Sequence, residues 1–166
     1  MDYYINGYNI FLIVLITFLT SALLTPLVKK IAFHVGAVDK PDHKRKIHDH
    51  IMPSMGGLAI FFAFLIGYML FAPKTTQMLS VLIGGFVVVI TGMLDDINPL
   101  PAKVKFLMQI TAACITVFYG NITFADMTIF GITFKFGIFA YPLAVLFMVS
   151  IMNAINLCDG LDGLAT

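Results

Sequence analysis

Long apolar blocks separated by short polar stretches dominate this chain. The first covers about 8–28 and stops at Lys29-Lys30, and others cover about 56–72, 77–94, 104–119 and 141–157. A helix rising ~1.5 Å per residue needs about 20 apolar residues to cross a hydrocarbon core of ~30 Å, so the blocks predict membrane-spanning helices. The expected fold class is all-α: a single polytopic helical membrane domain over 1–166 with about five transmembrane helices. The first block reads as a retained span and not as a secretory signal. Its leading residues carry Asp2 and no Lys or Arg, and no small-residue cleavage site follows it. The connection 121–137 breaks the pattern. Ile122-Thr123-Phe124 and the run 129–136 are rich in β-branched and aromatic residues, alternate in part and contain Gly131, which predicts a small β-hairpin on the outer surface.

Composition agrees with the pattern: 60% of residues are hydrophobic, only 11% are charged, and the mean hydropathy is +0.96. The formal net charge of +1 matters less than where the charges lie. Five crossings put Lys29, Lys30, Lys40, Lys44, Arg45, Lys46, Lys103 and Lys105 on one side, against Lys74 and Lys135 on the other. By the positive-inside rule the first side is expected to be cytoplasmic and the N-terminus external. Asp39, Asp42, Asp49, Asp95, Asp96, Asp159 and Asp162 fall on that same side, and the chain has no glutamate. Charge of both signs gathered at one interface suits a site for a charged, soluble ligand.

Three polar stretches on that side carry the candidate chemistry. Asn153, Asn156, Asp159 and Asp162 recur every third residue, which on a helical turn spreads them over one broad face where they can converge on a ligand. Gly160 and Gly163 follow the two aspartates and permit tight turns, so an ordinary Asp-Gly turn is the plain alternative. Ionisable groups at the end of a span are costly, however, and usually have a partner or a task. Asp95-Asp96 directly follows the third block. Adjacent carboxylates repel unless they share a cation or proton, which makes a hard divalent ion a natural partner. An aspartate acting as a base is another option, and a solvated pair at the helix end a third, at the end the helix dipole disfavours. Lys103 and Lys105 open the fourth block, either to face phosphate or to snorkel. In the first connection Arg45, Lys46 and His48 suit phosphate, on a lipid or a nucleotide, as well as they suit a plain basic anchor. Cys114 and Cys158 sit in or beside apolar blocks, and neither a disulfide framework nor a zinc site has support.

Taken together the three stretches resemble the polyprenyl-phosphate N-acetylhexosamine-1-phosphate transferases. The resemblance rests on Asp39-x-Pro41 through Arg45-Lys46-x-His48 to Pro53-x-x-Gly56-Gly57, on Asp95-Asp96 with Lys105, and on Asn153-Ala-x-Asn156-Leu-x-Asp159-Gly160-Leu161-Asp162-Gly163-Leu164-Ala165. It covers nearly the whole chain. The Arg-Lys-x-His form of the first stretch is similar to the branch that uses UDP-N-acetylglucosamine and initiates teichoic acids or surface polysaccharides.

The resemblance implies an enzyme that transfers N-acetylglucosamine 1-phosphate from UDP-N-acetylglucosamine to undecaprenyl phosphate and releases UMP. It implies Mg²⁺, or Mn²⁺ in its place, with Asp95, Asp96 and Asp159 as metal ligands and a further ligand expected beyond Thr166. Asp95, Asp96, Asp159 and Asp162 would be catalytic, and Arg45, Lys46, His48, Lys105, Asn153 and Asn156 would bind substrate. The expected setting is the plasma membrane, with membrane lipid as a partner, a homodimer as an option and no nucleic acid. Members of the family continue past the position of Thr166 through further spans that carry another aspartate and a His-rich loop. The chain is therefore expected to be the N-terminal part of a longer transferase and inactive alone. The alternatives are the phospho-N-acetylmuramoyl-pentapeptide transferase branch, which usually has threonine where this chain has Cys158, and a non-catalytic truncated scaffold. A transporter would instead hold its carboxylates near the bilayer midplane.

Overall fold

The computed structural model describes residues 4–39, 52–124, 126–129 and 131–159. All five apolar blocks are helices within it: α1 (Ile10–Val35), α2 (Gly56–Phe71), α3 (Thr76–Ile97), α4 (Ala102–Cys114, continued by a π-helical turn Ile115–Tyr119) and α5 (Ala140–Asp159, entered through a 3₁₀ turn Gly137–Phe139). Four of the apolar helical segments are long enough to cross a membrane, and α2, at 16 residues, is shorter. Phe11, Phe18 and Leu23 on α1 are 70%, 67% and 76% exposed, a surface that lipid rather than water would cover. The protein is a multi-pass helical membrane protein.

Two helices run past their predicted ends. Lys29 and Lys30 do not stop α1, because lysine is a good helix former whose ammonium can snorkel from an apolar stem. The stop comes at Gly36, whose φ of 77° only glycine adopts readily; its N–H and that of Ala37 both reach the Ala32 carbonyl. Helix α3 likewise takes in Asp95 and Asp96 and ends before Asn98-Pro99.

Among the described residues three short antiparallel strand pairs punctuate the helices. Strands β1 (Tyr4–Ile5) and β2 (Tyr8–Asn9) turn through Asn6-Gly7, both at positive φ, and Asn9 then caps α1 by accepting from the Phe11 N–H. Strands β3 (Val38–Asp39) and β4 (Met52–Pro53) close the base of the first connection. The expected hairpin in 121–137 is present as β5 (Asp126–Ile129) and β6 (Ile132–Lys135), with Gly131 at φ 80° between them.

The chain divides into two compact units, residues 1–74 with 89–100 and residues 75–88 with 101–166. In the first, α2 buries Ala59, Ala63, Gly67 and Phe71 at every fourth position. A Cβ on Gly67 would collide with Thr17, so this small-residue stripe lets α1 and α2 approach closely. Tyr8 meets Phe71 edge to face at 5.1 Å. In the second unit Ser80, fully buried, donates its hydroxyl proton to the Gln77 carbonyl at 2.6 Å, with the Thr116 carbonyl oxygen 3.4 Å away where the start of α3 meets the end of α4. Phe118 stacks on Tyr141 at 5.6 Å, and the Tyr141 hydroxyl donates to Asn121 Oδ1 at 2.9 Å.

Candidate active site

The site is built on the last turn of α3. Pro99 and Pro101 have no N–H, so Leu100 carries the one backbone donor in 99–101. It donates to Asp95 Oδ1 at 2.8 Å, which fixes the Asp95 carboxylate against the short link that follows the helix. Helix α4 then opens with the Val104 and Lys105 N–H groups on the Pro101 carbonyl.

Asp96 is fixed from another direction. Its Oδ2 accepts the Met55 N–H at 2.9 Å, although the two residues lie 41 apart in sequence. Met55 is the N-cap of α2 and stands at φ 75°, a left-handed conformation that costs a non-glycine residue on the order of 1 kcal/mol or more. Its side chain is buried with Val28, Ala32, Ala37 and Ala59, and Leu24, Leu58 and Met93 pack against that cluster. The neighbouring Ser54 N–H donates to the Ala37 carbonyl, and Val38 pairs with Pro53 and Asp39 with Met52. Asp96 is thus at the unfavourable end of its own helix but at the favourable, N-terminal end of α2. The pair thus has backbone partners, while Asp95 is half-buried and Asp96 exposed.

In the second unit α5 carries Asn153, Asn156 and Asp159 at three-residue intervals. Asn156 is exposed. The Asn153 amide donates to Gln109 Oε1 of α4 at 2.7 Å and to the Val149 carbonyl at 2.9 Å, so it ties two helices together. Lys105 is half-buried in the first turn of α4. Arg45, Lys46, His48 and Asp162 lie outside the described residues, as do the Gly160 and Gly163 turns. Thr166 lies outside them too, and the further metal ligand expected beyond Thr166 is therefore not among the residues that form the described site.

Met55, Leu100 and Gln109 were not singled out from the sequence. Met55 and Leu100 contribute through backbone N–H groups, which no side-chain pattern reports. Gln109 did leave a signal: a polar residue inside an apolar block usually has a partner. A double-mutant cycle on Gln109→Ala and Asn153→Ala in detergent is expected to give a coupling of about 1 kcal/mol in thermal or denaturant stability, the usual size of a polar contact between membrane helices. Additive effects of the two changes would show that the contact stabilises nothing.

The donor set suits a hard cation. Asp95 and Asp96 present carboxylate oxygens, the ligand type a hard cation takes, in positions set by the Leu100 and Met55 N–H groups. Among the described residues no group of three or more His, Cys, Asp or Glu comes together, so the remaining ligands of such a cation would come from substrate phosphates or other residues.

The fold and this site define a helical membrane protein with an oriented pair of carboxylates at the end of one helix, beside the stem of a basic connection. A family profile for glycosyl transferase family 4 matches residues 78–166, and the chain belongs to that family. It is 46% identical over 153 residues to a probable undecaprenyl-phosphate N-acetylglucosaminyl 1-phosphate transferase of Bacillus subtilis, covering 91% of this chain and 42% of the relative. It is 34% identical over 164 residues to a decaprenyl-phosphate N-acetylglucosaminephosphotransferase of Mycobacterium tuberculosis, covering 89% and 40%. A phospho-N-acetylmuramoyl-pentapeptide-transferase of Wolbachia pipientis is 33% identical over 127 residues, covering 69% and 39%. The chain spans about two fifths of the length of these curated relatives. No solved structure matches it.

Proposed function

We propose that the protein transfers N-acetylglucosamine 1-phosphate from UDP-N-acetylglucosamine to undecaprenyl phosphate. An oxygen of the lipid phosphate attacks the β-phosphorus of the nucleotide sugar. The new P–O bond forms as the bond to the bridging oxygen breaks, UMP leaves with that electron pair, and the bond between sugar and phosphate is retained. The observation that carries this reading is the pair of carboxylates fixed by backbone N–H groups beside the stem of the basic connection, in a chain 46% identical to a relative named for this transfer.

In this proposal Asp95 orients or deprotonates the attacking phosphate, Asp159 and Asp162 face the nucleotide sugar, and Lys105, Asn156, Arg45, Lys46 and His48 hold phosphate or sugar. Asn153 positions α5 through Gln109. Mg²⁺, or Mn²⁺ in its stead, would be held by Asp95, Asp96 and Asp159, with a further ligand from beyond Thr166, and would neutralise charge on the diphosphate oxygens when bound. The basic residues favour an orientation with this side cytoplasmic.

Membranes carrying the full-length protein, given UDP-N-acetylglucosamine and undecaprenyl phosphate, are expected to release UMP. Chelation of divalent ions should abolish the release and added Mg²⁺ restore it. Turnover of UDP-N-acetylmuramoyl-pentapeptide instead would move the protein to the branch named in the Wolbachia relative, which matches a smaller share of the chain. Release of UMP from neither donor would overturn the proposal.

A further inference from the structure

The hairpin β5–β6 joins the ends of α4 and α5 that lie farthest along those helices from Lys105 and Asp159. Its register sets Met127 opposite Phe134 and Ile129 opposite Ile132, alternating with Asp126 opposite Lys135 and Thr128 opposite Thr133. Directly opposed residues share a face and successive residues alternate between faces. Positions 127, 129, 132 and 134 therefore make one wholly apolar face, and 126, 128, 133 and 135 a wholly polar one. On the polar face the Thr128 and Thr133 hydroxyls hydrogen-bond to each other at 3.0 Å. On the apolar face Met127 and Phe134 are 46% and 50% exposed, and the chain runs on into Ile138 and Phe139, 81% and 71% exposed at the entry to α5.

The root of the hairpin is held beside the span and not above it. Phe124, just before β5, meets Phe147 edge to face at 5.1 Å, and Phe147 lies two turns into α5, ~10 Å along its axis. The exposed apolar face thus continues the exposed side of a membrane helix, where Leu146 is itself 64% exposed, and acyl chains are the surface that covers both. A two-stranded pair also leaves outward N–H and C=O groups along both edges, which hydrocarbon cannot satisfy and a hydrated headgroup layer can. The two demands are met together at the boundary between headgroups and acyl chains. We propose that the hairpin is a membrane-surface anchor that lies flat at this boundary, with Met127 and Phe134 against lipid and Asp126, Thr128, Thr133 and Lys135 toward water. Asp126 and Lys135 carry opposite charges, so the contact needs no anionic lipid. It is independent of the transferase reading.

The experiment places the photo-crosslinker p-benzoylphenylalanine at Met127, Thr128, Thr133 or Phe134, one position at a time, in the full-length protein in phosphatidylcholine nanodiscs. The products of illumination are read by intact-protein mass spectrometry and on gels. All four positions are exposed, so the label has room, and two positions on each face give a duplicate should one variant not fold. Addition of a lipid mass is expected at 127 and 134 at a yield at least about fivefold above that at 128 and 133, as burial of one apolar face requires. The yields should be the same when phosphatidylglycerol is mixed into the disc. Equal lipid addition on both faces would overturn the proposal. So would crosslinks from 127 and 134 to protein in place of lipid: a dimer band would make a second copy the occupant, and an internal crosslink another segment of the same chain. Lipid addition only with phosphatidylglycerol present would show attraction by charge and overturn it as well.

Discussion

Asp95→Asn is expected to lower UMP release at least ~100-fold while leaving the protein in the membrane at wild-type abundance. The amide is nearly isosteric with the carboxylate and keeps an oxygen for the Leu100 N–H, so the turn that ends α3 should survive. What it loses is negative charge and basicity. In phosphoryl transfer, where catalysis is mostly positioning and charge neutralisation, one such group is worth a factor of about 10²–10³. Asp95→Ala removes the acceptor as well and should also reduce thermal stability, by about 1–3 kcal/mol for an unsatisfied donor in a partly buried site. The comparison separates the two roles. Full activity in Asp95→Asn, with UMP release measured in membranes and abundance by immunoblot, would remove Asp95 from the proposed chemistry.

Gly84→Leu is expected to leave little folded protein. A Cβ at Gly84 would stand 2.5 Å from Thr116 Oγ1 and 3.0 Å from the Ala112 carbonyl oxygen. The threonine could rotate only by giving up its own bond to Ala112, at 3.0 Å, and the carbonyl belongs to the α4 backbone. Gly84→Ala should therefore already cost about 1–3 kcal/mol, and a leucine would have to push α3 and α4 apart. Gly92, on the same helix, has nothing within 4 Å of its would-be Cβ. Gly92→Ala should be neutral or slightly stabilising, since alanine favours the helix by up to about 1 kcal/mol. Thermal unfolding in detergent checks both. Equal stability of the Gly84 and Gly92 variants would show that the close approach at Gly84 is not a determinant of the fold.

Apolar blocks of near-spanning length were enough to predict five helices, because in a bilayer every backbone polar group must be satisfied within the segment and a helix does this without reference to the rest of the chain. The hairpin in 121–137 was legible for a similar reason: alternation, β-branched residues and Gly131 act locally. The strand pair at the N-terminus also carries a local signal, the Asn6-Gly7 turn, which is short beside the dominant apolar run that follows it. Helix ends were less legible. Lys29-Lys30 and Asp95-Asp96 look like boundaries on a hydropathy profile, yet α1 ends at a glycine and α3 at a proline-rich link, since backbone geometry and not polarity terminates a helix.

The residue types of the candidate site were determined by the sequence: paired aspartates after the third block, asparagines and aspartates every third residue at the end of the fifth, basic residues in the first connection. Their motif order was also sufficient for the family, to which the chain belongs. Only the tertiary structure decided what holds them. Asp96 meets the N–H of Met55, and Asn153 meets Gln109, through contacts between segments more than forty residues apart, while Asp95 meets the N–H of Leu100 only because the link after α3 folds back on the helix end. Two of the three are made by backbone groups, which every residue but proline carries alike. A donor common to all positions leaves no mark in a sequence, and it becomes specific only when folding sets it opposite one carboxylate.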